Sequence, residues 1–126
     1  MVLSTRAHGY LDLASAAVLI GRPWTLGLVP EGAAGWVLMA VGAAVLANML
    51  LTDFERGIAR RIQIPVHLWI DGLAGLLLVV SPWLFSFDQR VWIPHVVLGV
   101  VLMAVAFFTN TVPGYERRRS EQTARE

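Results

Sequence analysis

Residues 32–52, GAAGWVLMAVGAAVLANMLLT, run from Gly32 to Thr52 without one charged side chain. A helix of that length crosses the hydrocarbon core of a bilayer, which takes about 20 apolar residues at about 1.5 Å each. Val91 to Tyr115 is a second uncharged stretch that meets the same requirement. The whole chain agrees with this reading: 56% of its 126 residues are hydrophobic, 15% are charged, and mean hydropathy is +0.62. That is more apolar surface than a soluble fold of this size can bury.

Two further apolar stretches complete the set. His8 to Val29 contains Asp12 and Arg22, and His67 to Phe87 contains Asp71, with the charges lying toward the span ends, where long side chains can snorkel to the interface. No small-residue cleavage site follows the first apolar run, so it is expected to be a retained helix and not a signal peptide. The basic residues are all Arg and are unevenly placed. Arg6 precedes the first span, Arg56, Arg60 and Arg61 follow the second, and Arg117, Arg118, Arg119 and Arg125 lie in the tail. The two remaining connections carry only Glu31 and the pair Asp88 and Arg90. By the positive-inside rule both termini and the central loop are cytoplasmic.

The chain repeats itself. His8-Gly-Tyr-Leu-Asp12 and His67-Leu-Trp-Ile-Asp71 align at one offset, which also places Arg22-Pro23-Trp24 on Ser81-Pro82-Trp83. After a two-residue difference in the outer turn, Gly42 falls on Gly99, Thr52 on Thr109, and Asp53 on Asn110. Each unit holds two spans, so the copies enter the membrane in the same direction and are related by a pseudo-two-fold axis along its normal. The expected organisation is a cytoplasmic N-terminus (1–7), repeat 1 (8–52), a loop or interfacial helix (53–66), repeat 2 (67–112) and a basic tail (113–126).

The Ser-Pro-Trp motif in the first helix of a two-helix unit resembles the SPW repeat of small bacterial membrane proteins. The second copy, Asp71 ahead of Ser81-Pro82-Trp83-Leu84-Phe85, is the closer match; in the first, Arg22 replaces the serine. The resemblance covers about residues 8–112 and implies a bacterial membrane location without assigning a reaction. Apart from the resemblance, proline removes a backbone donor and crowds the preceding turn, which predicts a kink or break near Gly21 to Pro23 and Val80 to Pro82. Ser81 is expected to cap a short helix restarting at Pro82. Trp24 and Trp83, with Trp36 and Trp92, mark the outer interface, and Tyr10 and Trp69 the inner one. A broken helix lining a solute site is the sharper alternative.

Asp12 and Asp71 lie inside the apolar spans, where a lone carboxylate is expensive. Spacings of four put His8 and Ala16 on the face of Asp12, and His67 and Gly75 on the face of Asp71, which turns both acids toward the bundle interior. Asn48, Thr52, Thr109 and Asn110 reach the same depth from the second helix of each hairpin. This polar cluster has three readings: a structural one, with each carboxylate in the first turn of its helix and bonded across helices; a proton or cation path with His8 and His67 at its mouth; and, last in rank, a metal site built from two His-x-x-x-Asp pairs. No bound cofactor or metal is expected.

Other residues carry less. His95, without a counterpart in the first repeat, is expected to be packed or hydrated. Arg22 is expected to snorkel outward or pair with Glu31 or Asp88. Phe54, Ile58 and Ile62 would form the apolar face of a short helix on the inner leaflet, and the tail from Glu116 would be a disordered, lipid-contacting end. With no Cys, thiol redox chemistry and thiolate metal sites are excluded. No phosphate loop or nucleophile elbow is present, and the charges are too few for a nucleic-acid partner.

The sequence thus specifies an all-α membrane bundle of four spans in two tandem hairpins. It is expected to act without enzymatic activity as a structural or partner-binding module, its partners being the lipid bilayer and either a second copy or another membrane protein. Passage of a proton, cation or small solute is the runner-up. The orientation is open to a direct test. Single Cys residues introduced at Glu31, Gly57 and Gln122 should divide by side under an impermeant thiol reagent, with only the Glu31 position labelling in intact cells; labelling at Gly57 without lysis would reverse the orientation.

Overall fold

The structure is a computed structural model that describes residues 3–28, 32–52, 59, 61–111 and 114–126. Those residues form helices and turns and no β-strand: α1 (Thr5–Thr25), α2 (Ala33–Leu51), α3 (Ile64–Leu84), α4 (Ile93–Phe107) and α5 (Gly114–Thr123). Helix α2 packs on α1 and α4 on α3 as the two hairpins, and α2 against α3 and α1 against α4 close a four-helix bundle. Helices α1 and α3 therefore face each other across it. α2 and α3 are long and apolar enough to cross a membrane, whereas α4 is apolar but has only 15 residues.

Local sequence explains the starts. Ser4 caps α1, its Oγ accepting from the Ala7 amide at 3.1 Å. Pro65 and Pro94 occupy the first turns of α3 and α4, where the missing N–H is not needed. Helices α1 and α3 thus begin three residues before the histidines that headed the expected spans. Asp12 and Asp71 consequently lie about two turns inside their helices and not in a first turn, so the helix dipole is not what accommodates them.

One expectation at the prolines does not hold. Both helices continue through Pro23 and Pro82 and end two residues later, at Thr25 and Leu84, and no short helix restarts at Pro82. Proline at 82 leaves the carbonyl of Leu78, four residues back, without its helical donor. The Ser81 hydroxyl supplies one instead, donating to that oxygen at 2.8 Å. Both residues are fully buried, so the serine of the motif replaces a hydrogen bond that the proline removes. Arg22, its counterpart, directs its guanidinium to Thr25 Oγ1 at 3.4 Å and not to Asp88; Glu31 lies outside the described residues. After each proline the chain turns the same way. Pro23 O accepts from the Leu28 amide and Pro82 O from the Phe87 amide, across equivalent residues, Gly27 and Ser86, in the left-handed region.

At the other end, each repeat is stitched to its partner. Leu3, just before α1, bridges Thr109 at the end of α4, and Ile62, just before α3, bridges Thr52 at the end of α2. These two bridges occupy equivalent positions in the duplicated sequence. Of the stretch expected to lie on the inner leaflet, Phe54 and Ile58 fall outside the described residues, as do Asp53, Arg56 and Arg60; Ile62 is committed to its bridge. The tail is not an irregular end: α5 is helical from Gly114 to Thr123, and its described side chains are exposed. Its Glu, Arg and Gln residues have high helix propensity, and opposite charges recur at helical spacing, Arg117 standing four residues before Glu121.

Small residues set the interhelix distance within each hairpin. A methyl group on Gly75 would lie 2.6 Å from the Gly99 carbonyl oxygen, and one on Gly99 would lie 2.5 Å from the Gly75 oxygen. Here α3 and α4 touch backbone to backbone. Gly99→Ala should therefore lower stability in detergent by about 1–3 kcal/mol, the usual cost of overpacking. Gly72→Ala meets nothing within 4 Å and should be neutral or stabilising; equal losses from both changes would contradict the close contact. Ser81→Ala should cost about 1–3 kcal/mol, the penalty of a stranded buried acceptor. Adding Pro82→Ala to it should recover part of that loss, because the new backbone N–H can reach Leu78; a further loss would refute the donor replacement.

Candidate functional site

The interior of the bundle is polar where α1 and α3 face each other. His8, Asp12, His67 and Asp71 are 1–2% exposed, and one ligating atom from each lies within 4.8 Å of all the others. Within each helix the four-residue spacing stacks the histidine over its own aspartate: His8 Nε2 lies 3.2 Å from Asp12 Oδ2, and His67 Nε2 2.9 Å from Asp71 Oδ2. Across the axis the same atoms meet again, His8 Nε2 to Asp71 Oδ2 at 3.1 Å and His67 Nε2 to Asp12 Oδ2 at 2.9 Å. The two Nε2 atoms are 3.0 Å apart, with the rings set edge to face. The histidines are therefore at the centre of the cluster, not at a mouth leading to it.

The second helices fix the imidazoles from behind. Thr109 Oγ1 lies 2.7 Å from His8 Nδ1, and Thr52 Oγ1 lies 2.7 Å from His67 Nδ1, each contact crossing from one repeat to the other. Both hydroxyls donate backward along their own helix at 2.6 Å, Thr52 to Asn48 O and Thr109 to Val105 O. Two oxygens that close require the hydrogen between them. Each hydroxyl then has only a lone pair for the ring, so Nδ1 carries the proton and donates. Both histidines thus carry a proton on Nδ1, with Nε2 directed into the cluster.

Asn48 completes one side. Its Nδ2 donates to the His67 carbonyl at 3.1 Å and to Asp71 Oδ1 at 2.9 Å. The equivalent position in the second repeat is Val105, so Asp12 Oδ1 has no corresponding donor and is buried without a hydrogen-bond partner among the described residues. Asn110 stays outside the cluster, its backbone N–H bonding to Leu3 O. The structure thus gathers all the polar residues singled out from the sequence except Asn110. The SPW motif, with Arg22, Pro23, Trp24, Ser81, Pro82 and Trp83, lies at the far ends of α1 and α3. Trp24 and Trp83 are exposed there.

His95 is a third buried histidine, which spacing did not single out as a tie. It is fully buried, donates from Nε2 to the Ala34 carbonyl at 2.8 Å and packs its ring against Phe87 at 4.7 Å. It joins the start of α4 to the start of α2, again between repeats. The only sequence signal was a polar residue in an otherwise apolar stretch.

Comparison with known proteins bears on the repeat. No curated protein and no solved structure matches the chain. The family model described as the SPW repeat domain matches residues 6–109, which takes in both hairpins, the buried cluster and both copies of the motif. The chain belongs to the SPW repeat family.

Proposed function

We propose that this protein is a non-enzymatic structural or partner-binding module of the bacterial cytoplasmic membrane, with α1 to α4 all spanning and both termini on the cytoplasmic side. The distribution of polarity supports the membrane reading. Large apolar side chains face outward on every helix of the bundle, among them Leu13 and Val18 on α1, Trp36 on α2, Leu73 and Leu76 on α3, and Val97 and Val101 on α4, while the carboxylates and imidazoles face inward. In water this arrangement would be inside out; in lipid each surface meets its preferred neighbour. Helix α4 is short for a span, about 22 Å at 1.5 Å per residue, and Trp92 and Phe107 to Thr109 extend its reach to the interfaces. The Arg distribution supports the orientation.

The observation that carries the functional reading is the closure of the His–Asp cluster. Its polar side chains meet one another, between repeats, at 1–2% exposure. The cavity bounded by Trp83, Asp88 and Pro94 and the groove bounded by Trp69, Leu73 and Phe107 are lined by other residues. A sealed cluster suits a clasp that holds two hairpins in register better than a path, which needs water on at least one side. Passage of a proton or cation remains the second reading, favoured by two imidazoles and two carboxylates in direct contact.

The clasp predicts that His8→Ala, which strands the two carboxylates against one imidazole, lowers stability by about 3–5 kcal/mol, the cost of breaking a buried charge pair. Unfolding in detergent measures it. Vesicles reconstituted with the unmodified protein should pass no protons or cations over a range of pH. A flux that Asp71→Asn abolishes without loss of fold would replace the module by the transport reading.

A further inference from the structure

We infer that the cluster is a four-coordinate binding site for a divalent transition ion of the Zn²⁺ class, with His8 Nε2, His67 Nε2, Asp12 Oδ2 and Asp71 Oδ2 as its ligands. The inference rests on the module reading for the closed, non-conducting character of the cluster and adds what occupies its centre.

Geometry is the first argument. The four histidine–aspartate separations and the Nε2–Nε2 separation all fall between 2.9 and 3.2 Å. Bonds of about 2.0–2.2 Å to nitrogen and carboxylate oxygen, disposed tetrahedrally, place neighbouring ligands about 3.3–3.6 Å apart. Five of the six ligand separations fall short of this by a few tenths of an ångström, and the sixth, between the two aspartate oxygens, is at most 4.8 Å; side-chain torsions that open the five and adjust the sixth would accommodate the ion. Two ligands come from each of two facing helices, so no ligand depends on a loop.

Tautomer is the second argument, and it is independent of the first. Thr52 and Thr109 hold Nδ1 protonated on both rings, each through a hydroxyl that is itself committed to a helix carbonyl. A metal-bound imidazole needs this arrangement, in which the far ring nitrogen donates to a fixed acceptor and the near one presents its lone pair. It occurs twice, in the two repeats.

Charge is the third argument. With both Nε2 atoms unprotonated, the cluster would hold two carboxylates and no compensating charge. One proton shared between the nitrogens leaves an excess negative charge, and a proton on each sets two cationic N–H groups against each other at 3.0 Å. A divalent ion neutralises the two carboxylates and uses all four lone pairs at once. Asp12 Oδ1, buried without a hydrogen-bond partner, lies on the carboxylate that would bind it, available as a second oxygen. Two nitrogens, two oxygens and no sulfur favour Zn²⁺, Fe²⁺ or Mn²⁺ over Cu⁺. Four protein ligands leave no open position, the pattern of structural and not of catalytic sites.

The test uses the untagged full chain in detergent, stripped with chelator and reloaded with Zn²⁺ or Co²⁺. Elemental analysis should find one ion per chain, and Co²⁺ should give the intense visible absorption of four-coordinate geometry. His67→Gln and Asp12→Asn should lose the bound ion, and His95→Gln should keep it. Thr52→Val should retain the stoichiometry at saturating metal and weaken affinity about 10–100-fold, as removal of a buttressing acceptor does. Should the ligand variants fail to fold, the Co²⁺ spectrum of the unmodified chain decides: a weak six-coordinate spectrum, or no uptake by folded protein, overturns the metal site and leaves the clasp as a purely protonic one. Unchanged stoichiometry in folded His67→Gln overturns it equally. A protein that binds the ion yet conducts protons would refute the module and leave the metal site standing.

Discussion

A carboxylate inside an apolar bundle is tolerated only beside groups that compensate it, and Asp12 and Asp71 find those groups in the same place. Each touches the histidine one turn away on its own helix and the histidine of the opposite repeat. This shared compensation requires α1 and α3 to face each other at a fixed depth. Backbone contact between these diagonal helices does not set that depth; the side chains do. Much of the remaining architecture serves to keep them there. Thr52 and Thr109 orient the rings from the other repeat, and the bridges at Leu3 with Thr109 and Ile62 with Thr52 hold those threonines in position.

Duplication supplies this arrangement economically, since a pair of residues repeated about a two-fold axis meets its own copy. Within a hairpin the requirement is different, because two helices approach to backbone contact only where small residues face each other. Gly75 against Gly99 meets it with backbone contact, and Gly42 against Leu19 and Ile20 with a slightly wider one. The two levels divide the work: small residues build each hairpin, and polar residues join the hairpins.

Much of this was legible from the residues. The uncharged runs gave the helices, and the constant offset between His8 and His67 gave the repeat. Helical spacing placed each acid and histidine on one inward face. Spacing alone could not say that the two faces converge, and so the His-x-x-x-Asp pairs carried no more weight as ligands than as an ordinary helix start. Nor could depth separate Asn48 from Asn110: the former sits within α2 beside Asp71, and the latter lies past the end of α4, where its backbone is taken by Leu3. The expected restart of a helix at Pro82 was misread for a related reason. The effect of the proline depends on whether a neighbour can replace the lost donor, and the reach of Ser81 to Leu78 is a property of the folded turn. His95 stood out only as a polar residue in an apolar stretch, and its tie could not be foreseen, since its acceptor, Ala34, belongs to a helix of the other repeat.

Where the two repeats differ is also informative. Positions that touch the centre of the cluster are the same in both copies: histidine, aspartate and the buttressing threonine. Positions outside that set have diverged, with Asn48 against Val105 beside the cluster and Ser81 against Arg22 far from it. A substitution at the centre removes a charge from a closed set and disturbs both repeats at once, whereas one at the periphery strands at most a single hydrogen-bonding atom, as at Asp12 Oδ1. The motif that names the family therefore belongs to the more tolerant class. Ser81 and Pro82 stand ten and eleven residues along α3 from Asp71, about 15–17 Å at helical rise, and they shape the exit of the chain toward the exposed Trp83. The histidine and aspartate pairs at the other end are what make two hairpins into one molecule.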